Sequence, residues 1–386
     1  MVTGITELRG DISLQGDLIV DGGTLVARPG VSVNGNGFQI MFMNGGNADF
    51  QGTKVFTWSG DGSNANLTRD IEFRNMRRIM FHSGAGRSTL KYFSVVESGT
   101  PSLGDYPVHF HLNGNSVRGT IVEGVVVLNG KNHAFVPHGS HGITFKDTIA
   151  KNIIKEAYWW DPPGTNGGQT VDNSNDIVYD HALAIGVDWP RSVGNCCGGH
   201  HKVSAFLLGA GSGNVIRNSG ARETRGGADC SGFHWPEHAN QNPGGNVWTF
   251  SNNATYSSNC HGIFVWQNDG NHHVVTGFSG SAVDHGAYVN RYDYRNIEVG
   301  SFRVHALGWK ISNSDIGKVT VLRHSLIGDP VEFNDVSIDS FTINNAANGG
   351  SVPGTYILNG SSLSCQDIVY QSVVPGTQVI IDGQSC

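Results

Sequence analysis

The sequence predicts an all-β protein: a right-handed parallel β-helix with a small N-terminal β cap. Three observations carry this reading: abundant glycine beside ample apolar residues, a lack of helical periodicity, and an internal repeat. Of 386 residues, 54 are Gly and 38% are hydrophobic. That glycine content is about twice the ~7% of ordinary domains. A disordered chain would have the glycine without the apolar residues, whereas frequent turns between short strands account for both. No sustained i, i+3, i+4, i+7 apolar stripe with capping residues occurs. Short β-rich runs broken by Asn, Gly, Asp and Ser take its place.

The repeat is the most specific signal. A small residue followed by an aromatic or aliphatic run recurs as HAFVPH (133–138), EAYWWD (156–161), HALAIGVDW (181–189) and SAFLLG (204–209). It continues as SGFHWPEH (231–238), HGIFVWQND (261–269), HGAYVNRYD (285–293) and HALGWK (305–310). Between these runs lie strand, Asn-rich bend and strand patterns such as ITFKDTIAKN (143–152) and NVIRNSGARE (214–223). A unit of about three short strands cannot bury its own apolar face, but stacked units share a continuous core.

Stacking places equivalent repeat positions about 4.8 Å apart. Ala134, Ala157, Gly232, Gly262 and Ala287 are therefore expected in one column. Cys230 and Cys260, each two residues before a repeat glycine, belong on neighbouring rungs, where a small buried ladder is favoured over a disulfide. Residues 1–60 alternate apolar and polar residues around Gly and Asp turns and read as the N-terminal cap. The coil is assigned to 61–345, and 346–386 to a C-terminal cap stapled by Cys365 and Cys386. Adjacent Cys196 and Cys197 are not expected to pair with each other, and no CxxC spacing suggests a thiolate zinc site.

Net charge is −7, which argues against nucleic acid as a partner. No apolar run reaches the ~18 residues of a membrane span, so no membrane insertion is expected. The start, MVTGITELRGD, shows no basic stretch followed by an apolar one, and hence no visible signal peptide. A removed leader or release by phage lysis accommodates that, and the expected location is extracellular or virion-associated. Oligomerisation is left open.

The sharpest chemical motif is YPVHFHLNG at 106–114. On a strand, Val108, Phe110 and Leu112 share one face and His109 and His111 the other. One rung later comes VPHGSHG with His138, and after it YWWDPPG with Trp159, Trp160 and Asp161. Three imidazoles and a carboxylate can converge there to bind substrate or one divalent metal ion; the bland alternative is surface His scattered in a chain with 17 of them. A second constellation is the aromatic series that includes Trp159, Trp160, Trp235 and Trp266. As an exposed row these rings suit the apolar faces of sugars, and Glu237 beside Trp235 tilts the reading to the surface. The alternative is an aromatic stack inside the coil. Basic residues, among them Arg191, Arg222 and Arg291, cluster mid-chain and can hold acidic sugar groups, although any single one can equally be a solvated loop charge.

YPVHFHLNG, VPHGSHGITFKDTIAKN, the YWWD step, SGNVIRNSGARETRGGADCSGFHW (212–235) and FQGTKVFTW (50–58) together resemble the β-helix region of the animal cell-surface hyaluronidase family. That family includes the transmembrane hyaluronidase, the cell-migration-inducing hyaluronan-binding protein and, more distantly, the fibrocystins. The resemblance spans roughly residues 50–240. It implies a right-handed parallel β-helix and activity or binding towards hyaluronan-like polysaccharide, with His109, His111, His138 and Asp161 matching the family's motifs.

The favoured expectation is a polysaccharide-degrading enzyme, an endo-acting glycosidase or lyase, acting on an acidic hyaluronan-like or capsular polymer. Asp161 would be its acid or base, with His109, His111 and His138 positioning substrate or holding a metal. The rival expectation is a non-catalytic carbohydrate-binding spike or adhesin, and a third is a purely structural coil.

Overall fold

The computed structural model describes residues 1–159, 173–188, 203–209, 211–226, 230–235, 248–265, 272–285, 292–305, 308–322 and 329–386. Three parallel ladders run along the molecule, and their strands follow one another in the chain. The first pairs Leu18–Asp21, Ile40–Met43, Ile79–Phe81, Val108–Gly114 and Phe135–Ser140 in succession. It passes through a bridge at Tyr158 to Ser204–Leu207, Ser231–Trp235, His261–Val265 and Ser279–His285. The second starts at Ile5–Glu7 and reaches Tyr292–Arg295. The third starts at Asp11–Ser13 and runs to Glu298–Val304. This is a parallel β-helix. The pairing crosses residue 60 without a break, so the strands of the expected cap are themselves the first rungs. Two long strands, Lys310–Val321 and Val331–Ile343, pair in register along their whole length. An antiparallel pairing of Gln378–Ile381 with Gln384–Ser385 ends the chain, beside the expected Cys365–Cys386 disulfide.

The Asn-rich bends of the sequence have a specific conformation. Between second- and third-ladder strands the chain turns on one left-handed residue, as at Asp147, Asn218, Asn252, Asn296, Asn313 and Asp335, with φ between +48° and +54°. Asn and Asp adopt this region more readily than other non-glycine residues. Their side chains also link rungs: Asn218 Nδ2 donates to Asp180 at 3.1 Å.

Ala134, Ala157, Gly232 and Gly262 do share a column, since Phe135, Tyr158, Phe206, Phe233 and Ile263 are successive register partners. The next rung departs from expectation. Ile263 pairs with Val283, so Ala282 fills the column, and Ala287 lies outside the described residues. Beside this column the aromatics stack inward: Tyr158 lies 4.5 Å from Phe206, and Phe206 lies 5.0 Å from Phe233. Cys230 and Cys260 correct a second expectation. Register brings their Cα atoms to 5.0 Å, within disulfide reach, and they are bridged.

One segment leaves the coil. Between Asn47–Gln51 and Ile71–Arg74 the chain crosses the outer face of the third ladder as a strap. Its Trp58 packs with Val126, Ile149, Leu183 and Ile185, stacks on His181 at 4.1 Å and donates Nε1–H to the His181 carbonyl at 2.9 Å. Farther along, Asp61 accepts from Arg222 at 2.6 Å.

The aromatic stack generates the first prediction. Phe206→Ala removes a fully buried ring between two stacked partners and should cost about 3–5 kcal/mol. Urea denaturation followed by far-UV circular dichroism measures it; a loss below 1 kcal/mol would mean that the stack contributes little.

Candidate functional site

The site lies where the first ladder passes Val108–Gly114 and Phe135–Ser140. Pairing sets His111 beside His138 and His109 beside Val136. Val108 and Phe110 point into the core as expected, leaving His109 and His111 on the outer side. Leu112, expected inward, is 40% exposed. Its φ is +53°, and the register slips between His111 and Gly114. This bulge turns Asn113 inward instead, where its amide donates to the Phe81 carbonyl at 2.7 Å. Bulges re-aim side chains at sites, and this one ends the strand alternation just past His111.

His109 is not on open surface. The loop at 99–106 folds over it, held by Asn132 Nδ2, which donates to the carbonyls of Thr100 (2.7 Å) and Ser102 (2.9 Å). Arg78 Nη1 donates to the Gly104 carbonyl at 3.0 Å, and the Tyr106 ring lies 4.7 Å from the imidazole. His109 is 1% exposed as a result. Its Nδ1 is 3.1 Å from the Gly104 carbonyl. A carbonyl only accepts, so Nδ1 carries the hydrogen. Nε2 is buried and has no hydrogen-bond partner. Burial first, then the charges of His111 and His138, hold His109 well below the ordinary imidazole range, against an opposing pull from the Gly104 carbonyl. At neutral pH the ring is therefore uncharged, with a bare lone pair on Nε2.

Nitrogens of His109, His111 and His138 all lie within 4.8 Å of one another, and Nδ1 of His111 is 3.2 Å from Nδ1 of His138. Three nitrogens on a tetrahedral ion at ~2.0–2.1 Å would be about 3.3–3.4 Å apart. The donor set fits a divalent transition ion. A His Nδ1–H bonded to a backbone carbonyl is also the usual outer-shell support of a ligating Nε2. His82, from the preceding rung, comes within 5.5 Å of His111, ring to ring. The sequence reading missed it because the repeat was aligned only from residue 133 onward.

Other expected site residues are placed elsewhere. Trp159 and Trp235 are each 1% exposed. Trp159 stacks on His133 at 3.8 Å beneath Tyr106, and Trp235 belongs to the main core. Neither presents a face to a sugar; the inward alternative holds for Trp235, whereas Trp159 lies on the outer side of its strand and is buried there with Tyr106, Val136 and Leu207. Tyr292 and Trp309 are also core residues. Arg222 lies on the third ladder, committed to Asp61 and Glu223. Trp160, Asp161, Arg191, Glu237, Trp266 and Arg291 lie outside the described residues, as do Cys196 and Cys197.

Two ionisable groupings were not anticipated. His133 and Glu156, at the heads of successive repeats, form a fully buried pair with Nδ1 3.0 Å from the carboxylate. Farther along the coil, Asp284 accepts from His305 Nε2 at 3.1 Å and Arg303 Nη1 at 2.8 Å, with His261 Nε2 at 3.5 Å. Burial alone would raise the Asp284 carboxyl, but the His305 hydrogen bond and the charges of His305, Arg303 and His261 outweigh it and hold it below the usual range.

The parallel coil defines a β-helix protein, with the imidazole cluster as a candidate site on an outer face. Residues 77–161, which contain the whole cluster, match the family model described as CEMIP beta-helix. This is the family that the motifs of 50–240 resemble, and the matched stretch runs from Arg77, beside the covering loop's anchor Arg78, through the YWWD step. No curated protein matches the chain.

Each buried grouping generates a prediction. Glu156→Ala leaves His133 buried without its carboxylate and should cost about 3–5 kcal/mol; an unchanged thermal midpoint would contradict this. Asp284 has a folded pKa below its unfolded value of about 3.9, so it stabilises the fold at neutral pH, and that stabilisation is lost as pH falls through the folded value. Asp284→Asn should therefore be less stable than the parent at pH 7, with the gap closing below about pH 4. A gap independent of pH would show that the carboxylate's charge is immaterial.

Proposed function

We propose that this chain is a polysaccharide-degrading enzyme, an endo-acting glycosidase or lyase, working on an acidic polymer of the hyaluronan or capsular type. One observation carries the proposal. Adjacent rungs bring three imidazoles together beneath a covering loop, and one of them, His109, offers a buried bare nitrogen. The burial of Trp159 and Trp235 takes two rings out of the expected aromatic groove, so the cluster and the family match bear the reading together.

Cleavage of a glycosidic bond needs a group that gives or takes a proton at the reacting atoms. His109 is a neutral base, and a proton placed on it would sit on Nε2. His111 and His138 face each other through Nδ1, so only one of those two atoms can carry the hydrogen of a bond between them. Asp161 remains the proposed acid or base, with His109, His111 and His138 as its partners. Where a divalent ion is part of the enzyme, His109 Nε2 and the Nδ1 atoms of His111 and His138 would hold it, and it would supply Lewis acidity towards a bound water or a uronate. The disulfides Cys230–Cys260 and Cys365–Cys386 support an extracellular location; among the described residues no helix is long and apolar enough to cross a membrane. The binding-only reading retains one point in its favour: among the described residues, the metal-competent grouping is all imidazole, with no carboxylate.

Incubation with a panel of acidic polysaccharides, reading new reducing ends and unsaturated-uronate absorbance, tests the assignment. His109→Ala, His111→Ala and Asp161→Asn should each lower turnover at least about tenfold, roughly 1.4 kcal/mol of transition-state stabilisation, with the β-sheet signal intact. Parent-like turnover in all three would move the site elsewhere. Acidification should inhibit only below about pH 6.5, the ordinary imidazole value, because burial and the neighbouring imidazoles keep the proton off His109. Activity already falling by pH 7.5 would show that a neutral His109 is not the limiting group. Chelation should abolish turnover, and added divalent ion restore it, if the three imidazoles hold a metal; undiminished turnover in chelator would restrict them to proton transfer and substrate positioning.

A further inference from the structure

The rungs that lead up to the imidazole cluster carry a second kind of donor on the same outer face. Ile40, Phe42, Ile79, Phe81, Val108 and Phe110 belong to the core, so the residues that alternate with them on each strand point outward. Those outward pairs are Met41 and Met43, then Met80 and His82, then His109 and His111. Met41 pairs in register with Met80, and Met80 with His109. Met43 and His82 directly follow the register pair Phe42 and Phe81, and the His82 ring lies 5.5 Å from that of His111. Neighbouring strands are about 4.8 Å apart. Three of the chain's five methionines therefore adjoin one another and the imidazoles in two short columns. Met80 is 4% exposed, yet it lies outside the apolar cluster that holds Ile79 and Phe81.

An independent observation points to a ligand. His109 is 1% exposed, and its Nε2 is buried with no hydrogen-bond partner. Its register neighbours on either side are Met80 and Val136, and neither side chain has a hydrogen to give. Gap filling accounts for a buried methionine, but it leaves that lone pair unmet. A bound cation meets it.

The chemistry of the donors selects the cation. Imidazole nitrogens and thioether sulfurs carry no negative charge, so a dication buried among them keeps its full double charge. The desolvation cost of an ion rises steeply with its charge, which favours a monovalent ion. Calcium and magnesium take oxygen ligands. Zinc is served by imidazoles alone and gains nothing from Met80, whereas thioethers select copper(I). We propose that this patch is a copper(I) site, with His109 Nε2 and the Met80 thioether as its central donors and His111 and His138 as further nitrogen donors. The proposal rests on the reading in which the imidazole cluster holds a metal, and it puts a soft monovalent ion in place of the divalent one. It does not depend on polysaccharide cleavage.

The test uses the full chain and the metals alone. Copper(I) is titrated anaerobically in competition with bicinchoninate, silver(I) serves as a redox-inert stand-in, and zinc chloride is titrated separately. Copper(I) should bind more tightly than zinc, silver(I) should displace it, and X-ray absorption at the copper edge should show sulfur beside nitrogen around the ion. Met80→Leu, which conserves volume, should weaken copper(I) and silver(I) at least tenfold, remove the sulfur signal and leave zinc unchanged. His109→Ala should weaken all three metals; if it fails to fold, Met80→Leu and the sulfur signal decide by themselves. The proposal is overturned if copper(I) binds no more tightly than zinc, if the bound copper has no sulfur neighbour, or if Met80→Leu holds copper(I) as the parent does. Zinc binding that persists beside any of those results leaves the imidazole-metal reading standing while this one falls, and a chain that binds none of the three metals overturns both. A protein that binds copper(I) through Met80 but cleaves no polysaccharide upholds the site and refutes only the enzyme.

Discussion

In-register parallel pairing is the constraint on which the rest of this molecule depends. It converts a sequence separation of tens of residues into a spatial separation of about 4.8 Å. Every feature of chemical interest is a product of that conversion. His111 meets His138 across 27 residues, Cys230 meets Cys260 across 30, and Met80 meets His109 because their strands are register partners. A one-residue slip would send each side chain to the opposite face of its strand, so the aromatic core and the outer site are fixed by the same register. The core enforces it: Phe135, Tyr158, Phe206 and Phe233 can stack only if their strands are aligned.

The balance of charge and burial along the coil follows from what each rung lays over the outer face. Where the loop at 99–106 covers the first ladder, His109 loses contact with solvent and stays neutral. Where Arg303 and His305 flank Asp284, a buried carboxyl stays ionised. These two sites show opposite outcomes of one competition, between the desolvation that penalises charge and the neighbours that restore it. At His109 the neighbours are other imidazoles, and they reinforce desolvation. At Asp284 they are cationic partners, and they overcome it.

Much of this was legible in the sequence, with a clear boundary. The alignment of HAFVPH on EAYWWD correctly stacked Ala134 on Ala157, and the same alignment already placed His133 over Glu156, although that pairing went unread. Alternation at YPVHFH correctly turned Val108 and Phe110 inward. It failed at Leu112 because a bulge depends on the neighbouring rung as well as on local pattern. The large aromatics were assigned to the surface from the polar residues beside them, yet Trp159 and Trp235 are buried. Adjacency in sequence says little about facing when successive residues on a strand point in opposite directions. The Cys230–Cys260 bridge was within reach once the two were placed on neighbouring rungs, since a single rung spacing lies inside the geometric window for a disulfide. His109 could not have been foreseen as buried, because its cover comes from a loop whose path is set by Asn132 and Arg78.

The strap of residues 53–68 has a consequence for how the chain is made. Its anchors, His181 and Arg222, lie 123 and 161 residues farther along the sequence than the strap residues that bind them. A chain synthesised from its N-terminus can stack its early rungs one at a time, since each needs only the one before it. The strap's full set of anchors, His181 and Arg222 included, is complete only once the ribosome has passed Arg222. Through that interval Trp58 has only part of its apolar seat, beginning with Val126 and Ile149, to pack on. This is a long-range closure with the entropy cost and the exposed apolar surface that invite chaperone engagement. Docking of the strap is thus a late event in biosynthesis, one that seals the outer wall only after most of the solenoid has been laid down.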